Sequence, residues 1–91
     1  MIKRVQAVVT GYVQGVGYRY FAVHVAEQLG LKGCVRNIAG GGVQATAEGD
    51  ETVLHEFLDA LGRGPYASRV DDVSVAWSEP TGEFREFSAV A

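Results

Sequence analysis

From Lys3 to Val13 the chain alternates, with Val5, Ala7, Val9, Gly11 and Val13 sharing one face. A period of two sends successive side chains to opposite sides of an extended backbone, so this segment predicts a half-buried strand. At Tyr18 the period changes. Tyr18, Phe21, Ala22, Val25 and Leu29 fall at the spacing of an amphipathic helix, and Gly30 follows where a left-handed residue commonly ends one. Leu31 to Asn37 reads as a second, short strand. Gly40, Gly41 and Gly42 form a turn, and alternation resumes from Val43 to Glu48, so these two strands are expected to pair as a hairpin. Asp50 suits an N-cap and Glu51 the first turn of a second helix. Its stripe is Leu54, Phe57, Leu58 and Leu61, with Gly62 expected just past its end. Arg63 to Arg69, RGPYASR, is a loop. Val70 to Trp77 reads as a strand with Val73, Val75 and Trp77 on one face. Pro80 and Gly82 then turn the chain into an edge strand from Phe84 to Val90.

The predicted order is β-α-β-β-α-β with a short extra strand at the C-terminal side. Two helices cannot cover both faces of such a sheet, so both are expected on one face. This gives an α+β, ferredoxin-like open-faced sandwich with an antiparallel sheet. Its 91 residues suit a single domain over 1–91, with no repeat, linker or low-complexity segment. That architecture hosts many chemistries, so function must come from particular residues.

Composition narrows the field. Hydrophobic residues make up 47% and charged residues 21%, a globular balance. No apolar run approaches the ~20 residues of a membrane span. The opening MIKRVQAVVTG carries a strand-length apolar stretch and not a signal sequence. Cys34 is the sole cysteine, which excludes an internal disulfide and suits a reducing cytoplasm. A net charge of −3 disfavours general nucleic-acid binding, where phosphate contacts dominate affinity. The strand VQATAE also lacks the aromatic residues of an RNA-binding sheet face. No His, Cys or Asp cluster has metal-ligand spacing, so neither metal nor cofactor is expected.

The chemistry concentrates in GYVQGVGYR, Gly11 to Arg19. Glycines at 15 and 17 let backbone N–H groups turn toward an anion, and the start of a helix adds unpaired N–H groups and a positive dipole end. Arg19 adds a permanent charge and a planar fork of donors. The pattern is neither GxxxxGK[ST] nor GxGxxG, so no nucleotide fold is implied. From the residues alone, a strand–Gly–helix turn with a solvated arginine is the commoner reading, and Asn37 equally suits a turn.

VTGYVQGVGYR, Val9 to Arg19, resembles the first signature of the acylphosphatases, small enzymes that hydrolyse carboxyl-phosphate anhydrides. GCVRNIAGGGVQATAEG resembles the second, at Gly33, Val35, Asn37, Gly41, Val43 and Gly49. GPYASRVDDV, Gly64 to Val73, is similar to the loop and fourth strand of that family, so the likeness covers essentially the whole chain. It implies Arg19 and Asn37 as catalytic residues and the stretch Gln14, Gly15, Val16, Gly17, Tyr18 and Arg19 as the phosphate-binding loop. The implied substrate is a small acyl phosphate, such as an acetyl, carbamoyl or bisphosphoglycerate-type anhydride, with inorganic phosphate as product and inhibitor. No nucleic-acid or membrane partner is implied, and a monomer is the default.

Chemically, an acyl phosphate already carries a good leaving group, so positioning and charge stabilisation suffice. Asn37 can donate and accept at once, which suits it to orient a water. The resemblance implies that a phosphate oxygen takes the water's proton. One position departs from the family: Cys34 stands where an aromatic residue is usual, and it reads as a small packing residue beside the site. His24 and His55 fall off their helical stripes and read as solvated, Trp77 as core, and Lys3, Arg4 and Lys32 as surface. The competing reading is a non-catalytic anion-binding or regulatory module. Larger carbamoyl-transfer maturation proteins also carry an acylphosphatase-like domain, but the cysteine-rich zinc segments expected there are absent from this sequence.

Overall fold

The computed structural model describes every residue from Met1 to Ala91. The elements run β1 (Ile2–Tyr12), α1 (Tyr18–Gln28), β2 (Lys32–Asn37), β3 (Val43–Asp50), α2 (Glu51–Arg63), β4 (Arg69–Ser78) and β5 (Phe87–Val90). They build one sheet in the order β4-β1-β3-β2-β5. Neighbours are antiparallel except β5, which adds to β2 in parallel. The expected ferredoxin-like sandwich and the β2–β3 hairpin are both present.

Alternation in the sequence becomes layering in the fold. Val5, Ala7 and Val9 of β1 lie opposite Ala47, Ala45 and Val43 of β3, and all of these are buried. Onto this face α2 brings Leu54, Phe57, Ala60 and Leu61, and Phe57 meets Phe87 of β5 edge-on at 5.6 Å. The buried line of α1 is Tyr18, Ala22 and Ala26. That line is rotated from the predicted stripe: Phe21, Val25 and Leu29 are only half-buried on its flank. Alanines four residues apart let α1 sit close against the sheet, so its larger neighbours stand aside.

Several expectations need correction. Gly62 lies inside α2, and Gly64 takes the positive φ of 67° at its end. Pro65 sets that boundary, because it disfavours helical backbone in the residue before it and cannot donate an N–H. Trp77 is on the helix-covered face but on edge strand β4, where the helices cover the sheet only in part. It is 40% exposed and stacks on His55 of α2 with ring centroids 4.9 Å apart. Cys34 pairs with Thr46 and Ser88 on the open face of the sheet, across from the helices and the site. Arg4 is half-buried and donates to Glu48 at 2.9 Å and Glu83 at 2.8 Å. Lys3 is also half-buried, paired with Glu79 at 2.9 Å.

The register places the ends that matter together. Val9 lies opposite Val43, and Val43 opposite Asn37. The C-terminal ends of β1 and β2 therefore share one end of the sheet with the start of α1. Arg4 and Glu48 mark the other end, where residues 79–86 connect β4 at one edge to β5 at the opposite edge.

Candidate active site

Val13 follows β1 and remains buried, which anchors the turn that comes next. Gly15 and Gly17 then adopt φ of 75° and 79°, the left-handed region that side chains disfavour. Gly17 is the N-cap of α1 and offers no side chain to the first turn, which holds no acidic residue either. The backbone N–H groups from Gly15 to Tyr20 donate to no acceptor in the protein. The helical ladder begins only at Phe21, which donates to the Gly17 carbonyl at 3.0 Å. A row of donors and an uncompensated dipole end thus face the same space.

That space is a recess of about 210 Å³ lined by Val13, Gly15, Gly17, Arg19 and Asn37, with Tyr18 and Tyr20 from α1. Arg19 is half-buried. Its Nη1 donates to the carbonyl oxygen of Val90 on β5 at 3.0 Å, which steadies the guanidinium while leaving its other donors unspent. No carboxylate pairs with it. Asn37, the last residue of β2, shares a sheet face with Val43 and so enters the recess from the strand side.

The loop residues divide by task. Gln14 Nε2 donates to the carbonyl oxygens of Ile38 at 2.9 Å and Gly42 at 2.8 Å. Its side chain therefore ties the loop to the turn after Asn37, and neither it nor Val16 lines the recess. Tyr18 turns its ring into the core, and its hydroxyl donates to the Leu61 carbonyl at 2.6 Å. Burial pushes that phenol far above the usual tyrosine range. Only the main chain of Tyr18 can then serve an anion.

Residues 5–89 match the acylphosphatase family model. The chain belongs to the acylphosphatase family. An acylphosphatase of Deinococcus radiodurans is 49% identical over 84 residues, spanning 92% of this chain and 95% of its own length. The crystal structure of acylphosphatase from Bacillus subtilis is similar with a TM-score of 0.94 and 38% identity, each chain fully covered. Full-length HypF contains a similar unit, with a TM-score of 0.87 and 30% identity over 100% of this chain but 12% of its own.

Two contacts of this acylphosphatase chain carry no local sequence signal. Val90 reaches Arg19 only because the sheet order sets β5 beside β2. Tyr20 lines the recess because it occupies the first turn of α1, where a side chain off the buried stripe still faces the loop. The two hydrogen bonds of Gln14 were not read from the sequence either, where the residue stood only within the loop that the resemblance implies. No group of three or more His, Cys, Asp or Glu side chains is arranged to hold a metal ion. No helix is long and apolar enough to cross a membrane.

Proposed function

We propose that this protein hydrolyses small acyl phosphates to a carboxylate and inorganic phosphate through Arg19, Asn37 and the 14–19 loop. The observation that carries this reading is the row of unpaired N–H groups from Gly15 to Tyr20, opening with Arg19 and Asn37 into one recess. The phosphoryl oxygens take the N–H groups and the arginine fork, donors already in place before charge redistributes. Asn37 accepts from a water and holds it in line with phosphorus. The water oxygen bonds to phosphorus as the bond from phosphorus to the acyl oxygen breaks. The electron pair leaves on the carboxylate, and a phosphoryl oxygen takes the water's proton.

Residues 1–91 act in this reading as one domain, a monomer in the cytoplasm, and inorganic phosphate competes with substrate. All the elements draw on one sheet and one core, which supports the single unit.

The test separates the two side chains. Folded Asn37→Ala should lose turnover of benzoyl phosphate by about 10²-fold or more, the scale of a lost transition-state donor, while still binding phosphate. Arg19→Ala should lose both turnover and phosphate affinity in calorimetry. Normal turnover in Asn37→Ala would make it a turn residue, and an equal loss of phosphate affinity would place it in the cradle. A wild-type protein that binds phosphate but turns over no acyl phosphate would instead be a binding module.

A further inference from the structure

Tyr20 is 81% exposed, yet it lines the same recess as Arg19 and Asn37. Its ring stacks on no other aromatic side chain and its hydroxyl bonds to nothing in the protein. The other large exposed tyrosines, Tyr12 and Tyr66, are not part of that lining. Tyr20 is thus the one aromatic surface at the mouth of the recess.

From this placement we infer that Tyr20 receives the acyl group, so that the site favours acyl phosphates bearing an aromatic or extended apolar group. The inference rests on the hydrolytic reading above and extends it to substrate choice. In-line transfer puts the leaving carboxylate on the side of phosphorus opposite the attacking water. The water belongs to Asn37, which comes from β2, whereas Tyr20 comes from α1, a different wall. With the phosphoryl group held by the loop, the acyl carbon projects outward past the first turn of α1. A ring that stands 81% exposed beside the recess, with no aromatic partner of its own, is free to pack on a flat apolar group. An acetyl group is too short to cover it.

The experiment compares kcat/KM for benzoyl phosphate and acetyl phosphate in the wild type, Tyr20→Ala and Tyr20→Phe. Tyr20→Ala should lower the benzoyl-to-acetyl ratio roughly 3- to 10-fold, the range of an aromatic pair contact. Tyr20→Phe should keep the ratio, because the ring and not the hydroxyl makes the contact. An unchanged ratio in Tyr20→Ala, or equal losses on both substrates, would overturn the assignment. Calorimetry with phenacylphosphonate and acetonylphosphonate, the non-hydrolysable counterparts, reads the same preference without turnover. A wild type inactive on both substrates would defeat the hydrolytic reading, while the phosphonate affinities would still decide the role of Tyr20.

Discussion

Tyr18 meets two needs with one side chain. Its ring fills the core under α1, 1% exposed, and its hydroxyl serves the end of α2. The Leu61 carbonyl would ordinarily accept from the residue four positions on, but that residue is Pro65, which has no N–H. Tyr18→Phe removes the substitute donor and should destabilise the fold by about 1–3 kcal/mol, read from denaturant midpoints. Alkaline sensitivity should fall with it. The native phenol titrates above its unfolded value, so the unfolded state alone loses this proton as pH rises past about 10. Wild-type stability should therefore decline above that pH, and Tyr18→Phe should decline less steeply. The ring position of Tyr18 was legible in the helical stripe. The hydroxyl's partner was not, because it lies 43 residues away and depends on how two helices meet. Asn37 shows the same division: its place at a strand end could be read, but its entry into the recess follows from pairing with Val43.

Among the elements, strands and helices were legible because each has its own period, whereas their ends and neighbours depended on the assembled sheet. Gly62 carries a good stop signal, yet a helix tolerates glycine at a cost of about 1 kcal/mol and continues until Pro65 forbids it. Trp77 has the right face and the wrong strand, since periodicity does not say which strand lies at an edge. The joint between the loop and the β2–β3 turn is equally a product of assembly. Gln14 bonds both Ile38 and Gly42, so it fixes the cradle relative to the strand end that carries Asn37. Those carbonyls also accept from Gly41 and Ile38 in the turn itself. Gln14→Ala should therefore lower stability only modestly, about 1 kcal/mol or roughly 4–8 °C in Tm. It should lower kcat/KM by roughly 10- to 100-fold, because small misplacements are amplified in positioning chemistry. Kinetics that fall no further than the folded fraction would show that the turn holds Asn37 unaided.

Across the whole molecule, the two ends of the sheet are built on opposite principles. The site end leaves backbone donors unpaired, while the far end gathers charge into a closed set of contacts. Glu48, 8% exposed, accepts from Arg4 and Thr81 side chains and from the Thr81 and Gly82 N–H groups. Burial alone would raise its pKa, but those hydrogen bonds outweigh burial and hold it below the ordinary glutamate range. A depressed native pKa contributes stability that is complete above the unfolded value, near 4.3, and is lost as pH falls through the native one. Urea midpoints should therefore drop as pH is lowered below about 4, and Glu48→Gln should be less stable at neutral pH but flatter in acid. An identical acid slope in the variant would shift the effect to the other lowered carboxylates, Asp50, Asp71 and Glu83.

The bond from Arg19 to the Val90 carbonyl spans 71 residues of chain. During synthesis the glycine loop leaves the ribosome early, followed by Asn37, while the strand that steadies the arginine emerges only with residues 87–90. A nascent chain still short of Val90 holds most of the cradle but not the partner that aims its cation. Deleting β5 should therefore leave the loop and Asn37 in the sequence yet free the Arg19 guanidinium from the one backbone contact that aims it.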